Sequence, residues 1–119
     1  MRVGGRNSAA VDIYDTGKGA WRKGPALPAP RSGAAIGVFG GRVHIAGGQS
    51  VVPLKTFAEH LQLDPKSGSW SRAADLLTPR HGLASAVLKD GWYVVGGGKG
   101  AGVFTDFTAS DTVEVYKAD

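Results

Sequence analysis

Apolar residues in this chain fall into short runs that are separated by turn-forming residues. Gly33 to Phe39 and Val43 to Ala46 flank the pair Gly40-Gly41, and the same arrangement returns as Leu83 to Leu88 and Trp92 to Val95 around an Asp-Gly turn. Glycine tolerates the positive φ angles of tight turns, so Gly-Gly and Asp-Gly between apolar runs predict β-hairpins. The pattern therefore predicts two hairpins with matching strands.

A second kind of hairpin is predicted beside the first. Glu59 to Leu63 and Trp70 to Arg72 flank a turn rich in Asp, Pro, Gly and Ser, and Asp12 to Tyr14 with Trp21 to Lys23 form an earlier copy. Within the first of these segments, leucines alternate with His and Gln, which is the period of a strand. Each unit is thus predicted to be a four-stranded antiparallel meander, and no helix is expected anywhere.

These motifs repeat along the chain at a fixed spacing. The positions that recur forty-nine residues later are Trp21 with Trp70, Pro30-Arg31 with Pro79-Arg80, and Gly47-Gly48 with Gly96-Gly97. A period near fifty built from strands indicates propeller blades or a solenoid. The repeat divides the chain into the end of one unit with its strands three and four (1–32), a complete central core (33–73), and a link with a last unit that lacks its fourth strand (74–119).

Composition limits the classes of protein that fit. The chain is 42% hydrophobic and 20% charged, with 19 glycines, as short-stranded all-β proteins are. The absence of cysteine excludes disulfides and thiolate metal sites. The net charge of +4 comes from 14 Lys and Arg that are mostly isolated, which is typical of a solvated surface rather than a nucleic-acid groove. Nucleic acid is therefore not expected as a partner. No signal-peptide pattern and no apolar stretch near twenty residues occurs in the sequence, so a membrane is not expected as a partner either. The sequence indicates no compartment.

The repeated residues resemble those of Kelch repeats. A Gly doublet closes the second strand, a Tyr or its equivalent ends the third, and a Trp seven positions later opens the fourth. The residues that carry this likeness are Gly47, Gly48, Gly96, Gly97, Tyr14, Tyr116, Trp21 and Trp70, with Leu63 standing in the place of one Tyr. The resemblance implies an all-β fold of four-stranded antiparallel meander blades in a Kelch-type β-propeller, here as an incomplete ring. The Gly doublets are expected at positions that exclude a Cβ, and both Trp side chains are expected to be buried between blades.

Chain direction predicts which end of the blades could bind a partner. The loops that join strand two to strand three and the links between blades share one end of such a meander, and Gln49 to Ala58 and Lys99 to Asp111 are the long loops there. By resemblance to propellers, the first strand of each blade is innermost, so the residues after each link lie near the mouth of the central channel. The residues predicted to bind are Arg31, Arg80, His81, Gln49 and Lys99.

Arg31 and Arg80 permit two interpretations. Each guanidinium could grip a carboxylate or sulfate in bidentate fashion, or it could bond backbone carbonyls and fasten the link between blades. Because both copies carry Arg at the same repeat position, the architectural interpretation is favoured. His81, which replaces Ser32 of the other copy, is the better candidate for ligand contact.

Catalytic, metal and cofactor sites are not predicted. His44, His60 and His81 lack the spacings of metal ligands, and the glycine-rich stretch 96–102 matches no phosphate-binding motif. His60 takes a position that is apolar in the other copy, which favours a structural hydrogen-bonded network with Glu59 as its candidate partner.

The function predicted from the resemblance is a recognition module, because Kelch propellers are widely scaffolds that bind a protein or small ligand through their loops. One alternative is a carbohydrate-active propeller, because the fold resembles that of sialic acid mutarotases and of the central domain of galactose oxidase. A mutarotase would need an acid or base facing the channel, for which His81 is the obvious candidate, whereas the copper-radical chemistry of galactose oxidase needs a cysteine, which this chain lacks. Another is an inactive structural fragment of a larger propeller. Binding is favoured over catalysis, and the open blade faces predict either remaining propeller blades or self-association as a further partner.

Overall fold

The computed structural model describes residues 1–5 and 7–117, which form a set of antiparallel β-sheets. The strands are β1 Arg2–Val3, β2 Val11–Asp15, β3 Ala20–Lys23, β4 Ala35–Phe39, β5 Arg42–Ala46, β6 Gln49–Val51, β7 Leu54–Thr56, β8 His60–Asp64, β9 Ser69–Arg72, β10 Ala84–Leu88, β11 Gly91–Val95 and β12 Val113–Tyr116. Arg6, in the predicted first unit, and Ala118 and Asp119, which end the predicted third, lie outside the described residues. The all-β fold is confirmed.

The strands form three blades in chain order. The first blade has the order β1-β2-β3, the second β4-β5-β8-β9 and the third β10-β11-β12, while β6 and β7 form a separate hairpin. Every pairing is antiparallel, as the predicted meander requires. The first blade also contains β1, which pairs with β2 and takes the place of the second strand of a blade. The sequence analysis predicted only the two strands that follow it. In the described part of the chain no strand pairs with the outer edge of β12.

The glycine doublets lie where each blade meets the link to the next. Gly47 has a φ of +71°, and a Cβ on it would lie 2.5 Å from the carbonyl oxygen of Arg80. The N–H of Gly48 donates to that same oxygen at 2.9 Å, and the N–H of Gly5 donates to the carbonyl of Arg31 at 3.0 Å. The absence of a side chain therefore lets the backbone of one blade bond directly to the link that begins the next.

Two apolar clusters hold the three blades together. The first junction, between the first and second blades, packs Val11, Leu27, Ile45 and Leu61. The second junction, between the second and third blades, packs Ala35, Ala46, Trp92 and Val94. The core of the molecule thus lies between blades rather than within one sheet.

The two repeated tryptophans lie in equivalent positions but differ in burial. Trp21 pairs with Tyr14 across β2 and β3, and Trp70 pairs with Leu63 in the same register of the second blade. Trp70 is half-buried and its indole N–H donates to the carbonyl of Pro25 at 2.8 Å. Trp21 is 62% exposed, so the prediction that both are buried is wrong for this residue. The reason is that Trp70 meets the link of the preceding blade, whereas Trp21 packs at a tilt against Tyr14 on an exposed face of the first blade.

One loop contains a short 3₁₀ segment that the sequence analysis did not predict. Gly102–Phe107 forms a 3₁₀ helix between β11 and β12, and Thr108 closes it by donating its Oγ1 hydrogen to the carbonyl of Phe104 at 2.7 Å. A short 3₁₀ segment has no apolar periodicity, so the alternation of apolar and polar residues gives no signal for it.

Candidate binding rim

The two long loops contact each other and form one surface. The loop after β5 folds into the β6-β7 hairpin, and the loop after β11 carries the 3₁₀ helix. The N–H of Gly102 donates to Oε1 of Gln49 at 2.9 Å. A Cβ on Gly102 would also lie 2.9 Å from Cδ1 of Leu54. We call the surface formed by residues 49–58 and 99–111 the rim.

Large apolar side chains project from the rim into solvent. Val52 is 86% exposed and Val103 is 78% exposed. We call the exposed large hydrophobic residues of the rim, among those whose side chains the structure describes, the apolar tips: Val51, Val52, Leu54, Val103 and Phe104. Contiguous apolar patches of this kind mark interaction sites on soluble proteins. The sequence prediction chose these loops but missed the tips, although valine and phenylalanine in a turn-rich loop, where polar residues are usual, were a usable signal.

Gln49 and Lys99 have different places in the rim. Gln49 is half-buried, and its backbone exchanges two hydrogen bonds with Ser32 while its side chain holds the neighbouring loop. Lys99 is exposed, and its backbone N–H donates to the carbonyl of Thr108. Gln49 therefore positions the loops, whereas the ammonium group of Lys99 is available at the surface.

Arg80 is buried and bonded inside the third blade. Its guanidinium donates to the carbonyls of Gly96 at 2.8 Å and Thr112 at 3.0 Å, and to the carboxylate of Glu114 at 2.9 Å. Glu114 also accepts from the backbone N–H of Leu77 at 2.6 Å. These bonds fasten the link to β12. They are the contacts with backbone carbonyls that the architectural interpretation describes. A ligand-binding role for Arg80 stays a prediction.

Arg31 is equally buried but lacks such partners. Its guanidinium lies over the ring of Phe57, with Cζ 4.3 Å from the ring centroid, and the carboxylate of Glu59 is 3.9 Å away. Both terminal nitrogens are without a hydrogen-bond partner among the described residues. Burial lowers the pKa of Arg31, and the carboxylate of Glu59 offsets part of that effect. Its predicted binding role likewise stays a prediction.

His81 is buried at the base of the second loop. Its Nε2 lies 2.6 Å from the carbonyl oxygen of Gly100 and 3.1 Å from Oγ1 of Thr105. Its backbone exchanges hydrogen bonds with Gly98. These contacts hold the start of the loop in place, while the ring also lines a shallow cleft beside Gly97. The predicted ligand contact of His81 remains a prediction.

A histidine pair lies inside the second junction. Nδ1 of His44 is 2.9 Å from Nε2 of His60, and Nδ1 of His60 is 2.9 Å from the carbonyl oxygen of Ala74. The sequence analysis named Glu59 as the candidate partner of His60. The observed partner is His44. The two rings come from neighbouring strands, β5 and β8, so no sequence spacing identifies them as a pair.

Within residues 1–5 and 7–117, no group of three or more His, Asp or Glu side chains is placed to hold a metal ion. No helix in the same residues has the length and apolar character needed to cross a membrane.

Comparison with known proteins gives relatives of one kind. No family model matches the chain. It is 40% identical over 42 residues to an F-box/kelch-repeat protein of Arabidopsis thaliana, a match that covers 35% of this chain and 11% of that protein. It is 32% identical over 91 residues to Kelch repeat and BTB domain-containing protein 13 of Homo sapiens, covering 71% of this chain and 19% of the relative. Kelch-like protein 21 of Bos taurus is 32% identical over 82 residues, which are 66% of this chain and 13% of the relative. The matches thus span less than a fifth of each of these relatives.

Meander blades joined through glycine doublets define a β-propeller segment. The relatives identify its repeats as Kelch repeats, and the chain forms an incomplete Kelch-type propeller.

Proposed function

We propose that this propeller segment is a scaffold that binds a protein segment through its rim. The observation that carries the proposal is the set of apolar tips, which two separate loops contribute to one surface. Exposed apolar side chains on loops that a rigid sheet supports are a common form of protein-binding site. In this proposal the tips are the anchors that the partner buries.

The loops are held in position by groups beneath them. The side chain of Gln49 braces the second loop, and Nε2 of His81 lies against the base of that loop. Arg80 fixes the third blade, which carries the loop. We therefore assign Gln49, Arg80 and His81 to positioning the rim, and leave direct contact to the tips and to Lys99. Such preorganisation lowers the entropic cost of binding.

The charged residues of the rim are of both signs. Its two lysines, Lys55 and Lys99, are exposed, and the second loop also contains Asp106 and Asp111. The rim therefore sets no preference for the net charge of a partner, and the apolar tips carry the proposal. Net affinity comes mainly from the apolar anchors, because exposed ion pairs contribute little.

A carbohydrate-active function has less support. His81 is the acid or base that this alternative needs, and its Nε2 already contacts Gly100 and Thr105 of the second loop. No other observation on the described residues favours that class.

The experiment is a selection of peptides from a random phage-displayed library on the immobilised chain. Val52→Ser with Val103→Ser removes two anchors, and Leu88→Ser, an exposed apolar residue where β10 ends at the opposite hairpin, is the matched control. Selected peptides are expected to be rich in apolar residues, and to lose at least tenfold in affinity for the double variant but not for the control. No enrichment, or equal affinity for both variants, would contradict the proposal.

The open outer edge of β12 supports a second kind of partner. An open cleft of about 390 Å³ runs beside this strand and the link to the third blade. In the second blade, β9 and its Trp70 occupy the corresponding place beside Pro25. We infer that a strand from remaining propeller blades or from a second copy fills the cleft. Sedimentation velocity of the chain tests the second copy, since a monomer at all concentrations would leave only further blades as the occupant.

A further inference from the structure

The His44–His60 pair lies at the contact between the second and third blades. Both side chains are buried, and the ring of His44 stacks on Phe39 with centroids 3.9 Å apart. The third blade covers the pair: the ring of Tyr116 meets His60 edge-on at 4.5 Å, and the ring of Trp92 lies 5.5 Å from it. A charge on either imidazole would therefore be enclosed by aromatic rings.

The hydrogen bonds fix one arrangement of protons in this pair. The carbonyl of Ala74 only accepts, so Nδ1 of His60 must donate to it. Nε2 of a neutral His60 is then an acceptor, and Nδ1 of His44 donates to it across 2.9 Å. A proton added to Nε2 of His60 would set two donors against each other. A proton added to Nε2 of His44 would place a charge among the rings, where the backbone of Phe39 offsets only a small part of the cost of burial.

We propose that protonation of the His44–His60 pair opens the second junction, so that mild acid releases the third blade and its loop from the second blade. The first junction has no such device, because the repeat position of His60 is there occupied by the buried Val11. The two loops of the rim lie on opposite sides of the junction that opens. A loss of partner binding in acid would follow, and that consequence alone rests on the function proposed above.

Burial is the largest influence on the pKa values of His44 and His60, and nearby charged groups have smaller effects. Burial, with smaller contributions of the same sign from His60 and Arg42, lowers the pKa of His44 from 6.5 to about 4, against a smaller opposing effect from the backbone of Phe39. Burial also lowers the pKa of His60, against smaller opposing effects from its bond to Ala74 and from Asp75 on the link.

Two groups from β12 also face this region. Glu114 lines the same cleft as His60, but its carboxylate is held by Arg80 and by the backbone N–H of Leu77. Tyr116 presents its aromatic ring to the pair. Neither group supplies a free negative charge that would stabilise a protonated imidazole at this position.

The sign of the pH dependence follows from these directions. In the opened state both imidazoles are solvated, with a pKa of about 6.5, whereas in the closed state protonation is disfavoured. The closed junction is therefore fully stable above about pH 6.5 and loses stability as the pH falls toward the closed-state value of His44. From pH 7 to pH 5, uptake by one histidine alone raises the population of the open state by about twentyfold.

The exchange of tryptophan indole protons with solvent tests this opening directly. The indole N–H of Trp92 is buried in the second junction without a hydrogen-bond partner among the described residues, whereas that of Trp70 belongs to the first junction. The exposed Trp21 supplies the intrinsic rate at each pH. Between pH 7 and pH 5, the protection of Trp92 relative to Trp21 is expected to fall at least tenfold and that of Trp70 less than twofold. Constant protection of Trp92, or a parallel fall at both residues, would overturn the proposal.

A double variant separates the histidines from other acid effects. His44→Phe with His60→Val, the latter being the residue found at the repeat position in the first blade, is expected to abolish the fall between pH 7 and pH 5. His81→Gln, which changes the histidine outside the junction, is the control and should retain the fall. An undiminished fall in the double variant would also overturn the proposal. Should that variant not fold, the comparison of Trp92 with Trp70 in the native chain decides alone.

Discussion

The two junctions of this molecule join blades of the same repeat by different means. The first junction is aliphatic, with Ile45 and Leu61 of the second blade packed on Val11 and Leu27. The second junction is built around the indole of Trp92 and contains a buried histidine pair. A repeat therefore conserves the position of a contact while its chemistry changes from one junction to the next.

The arginines at the start of each blade make the same point. Arg80 has an acidic partner because Glu114 stands on β12, opposite Val94. The corresponding register position in the second blade, opposite Ile45, is occupied by Leu61, so Arg31 has only the more distant Glu59. Equal residues at equal repeat positions thus contribute differently to stability, because their partners come from other strands.

Removal of the large side chain of the second junction gives the largest expected effect. Trp92 is 1% exposed, and its indole lies so close to Gly37 that a Cβ there would be 2.7 Å from Nε1. Trp92→Ala is expected to lower the free energy of unfolding by about 3–5 kcal/mol, because a cavity is left in the junction. Trp21→Ala, the matched control on an open face, should change it by less than about 0.5 kcal/mol. Urea denaturation measures both, and similar losses would show that the two tryptophans are equally packed.

Substitution of the two arginines at the equivalent repeat position, Arg31 and Arg80, gives the next largest expected change in the free energy of unfolding. Arg80→Met should lower the free energy of unfolding by about 2–3 kcal/mol, because Glu114 and two carbonyls lose a buried donor. Arg31→Met should change it by less than about 1 kcal/mol or raise it, since methionine keeps the contact with Phe57 and removes an incompletely bonded charge. Thermal unfolding at neutral pH compares the two variants. A larger loss from Arg31→Met would reverse the account of both links.

Most of the architecture could be predicted from the sequence because local rules determine it. Glycine doublets fix where strands end, and alternation fixes which face a residue occupies, so the predicted strands, which correspond to β2–β5 and β8–β11, lie within a few residues of the observed ones. These features depend on neighbours along the chain, which the repeat displays twice.

The features that could not be predicted depend on partners distant in sequence. Burial of Trp70 needs the carbonyl of Pro25 from the preceding link, and Trp21 has the same local sequence without that neighbour. The bond between His44 and His60 joins two strands across a loop that contains its own hairpin. A comparison of repeats shows each of these residues as a single difference between copies. It does not show which other residue each one contacts, and that contact decides its burial and bonding.

The rim was located from chain direction, but its chemistry was predicted incompletely. The residues predicted to bind, such as Gln49 and Lys99, were predicted from their place at that end of the blades. The valines and the phenylalanine of the two loops were a usable signal that this prediction left out. The contact that joins the loops, from Gly102 to Gln49, depends on the folded hairpin and 3₁₀ helix. Both local folds are too short to leave a periodic signal in the sequence.

The most direct test of the rim as the binding surface is a map of amide chemical shifts in the ¹⁵N-labelled chain on addition of a peptide selected by it. The account predicts that the largest shifts fall at residues 51–55 and 102–104, in both loops at once, and that Val52→Ser with Val103→Ser removes them. Shifts confined to the hairpin turns at the opposite end, around residues 40–41, 64–68 and 89–90, would contradict it.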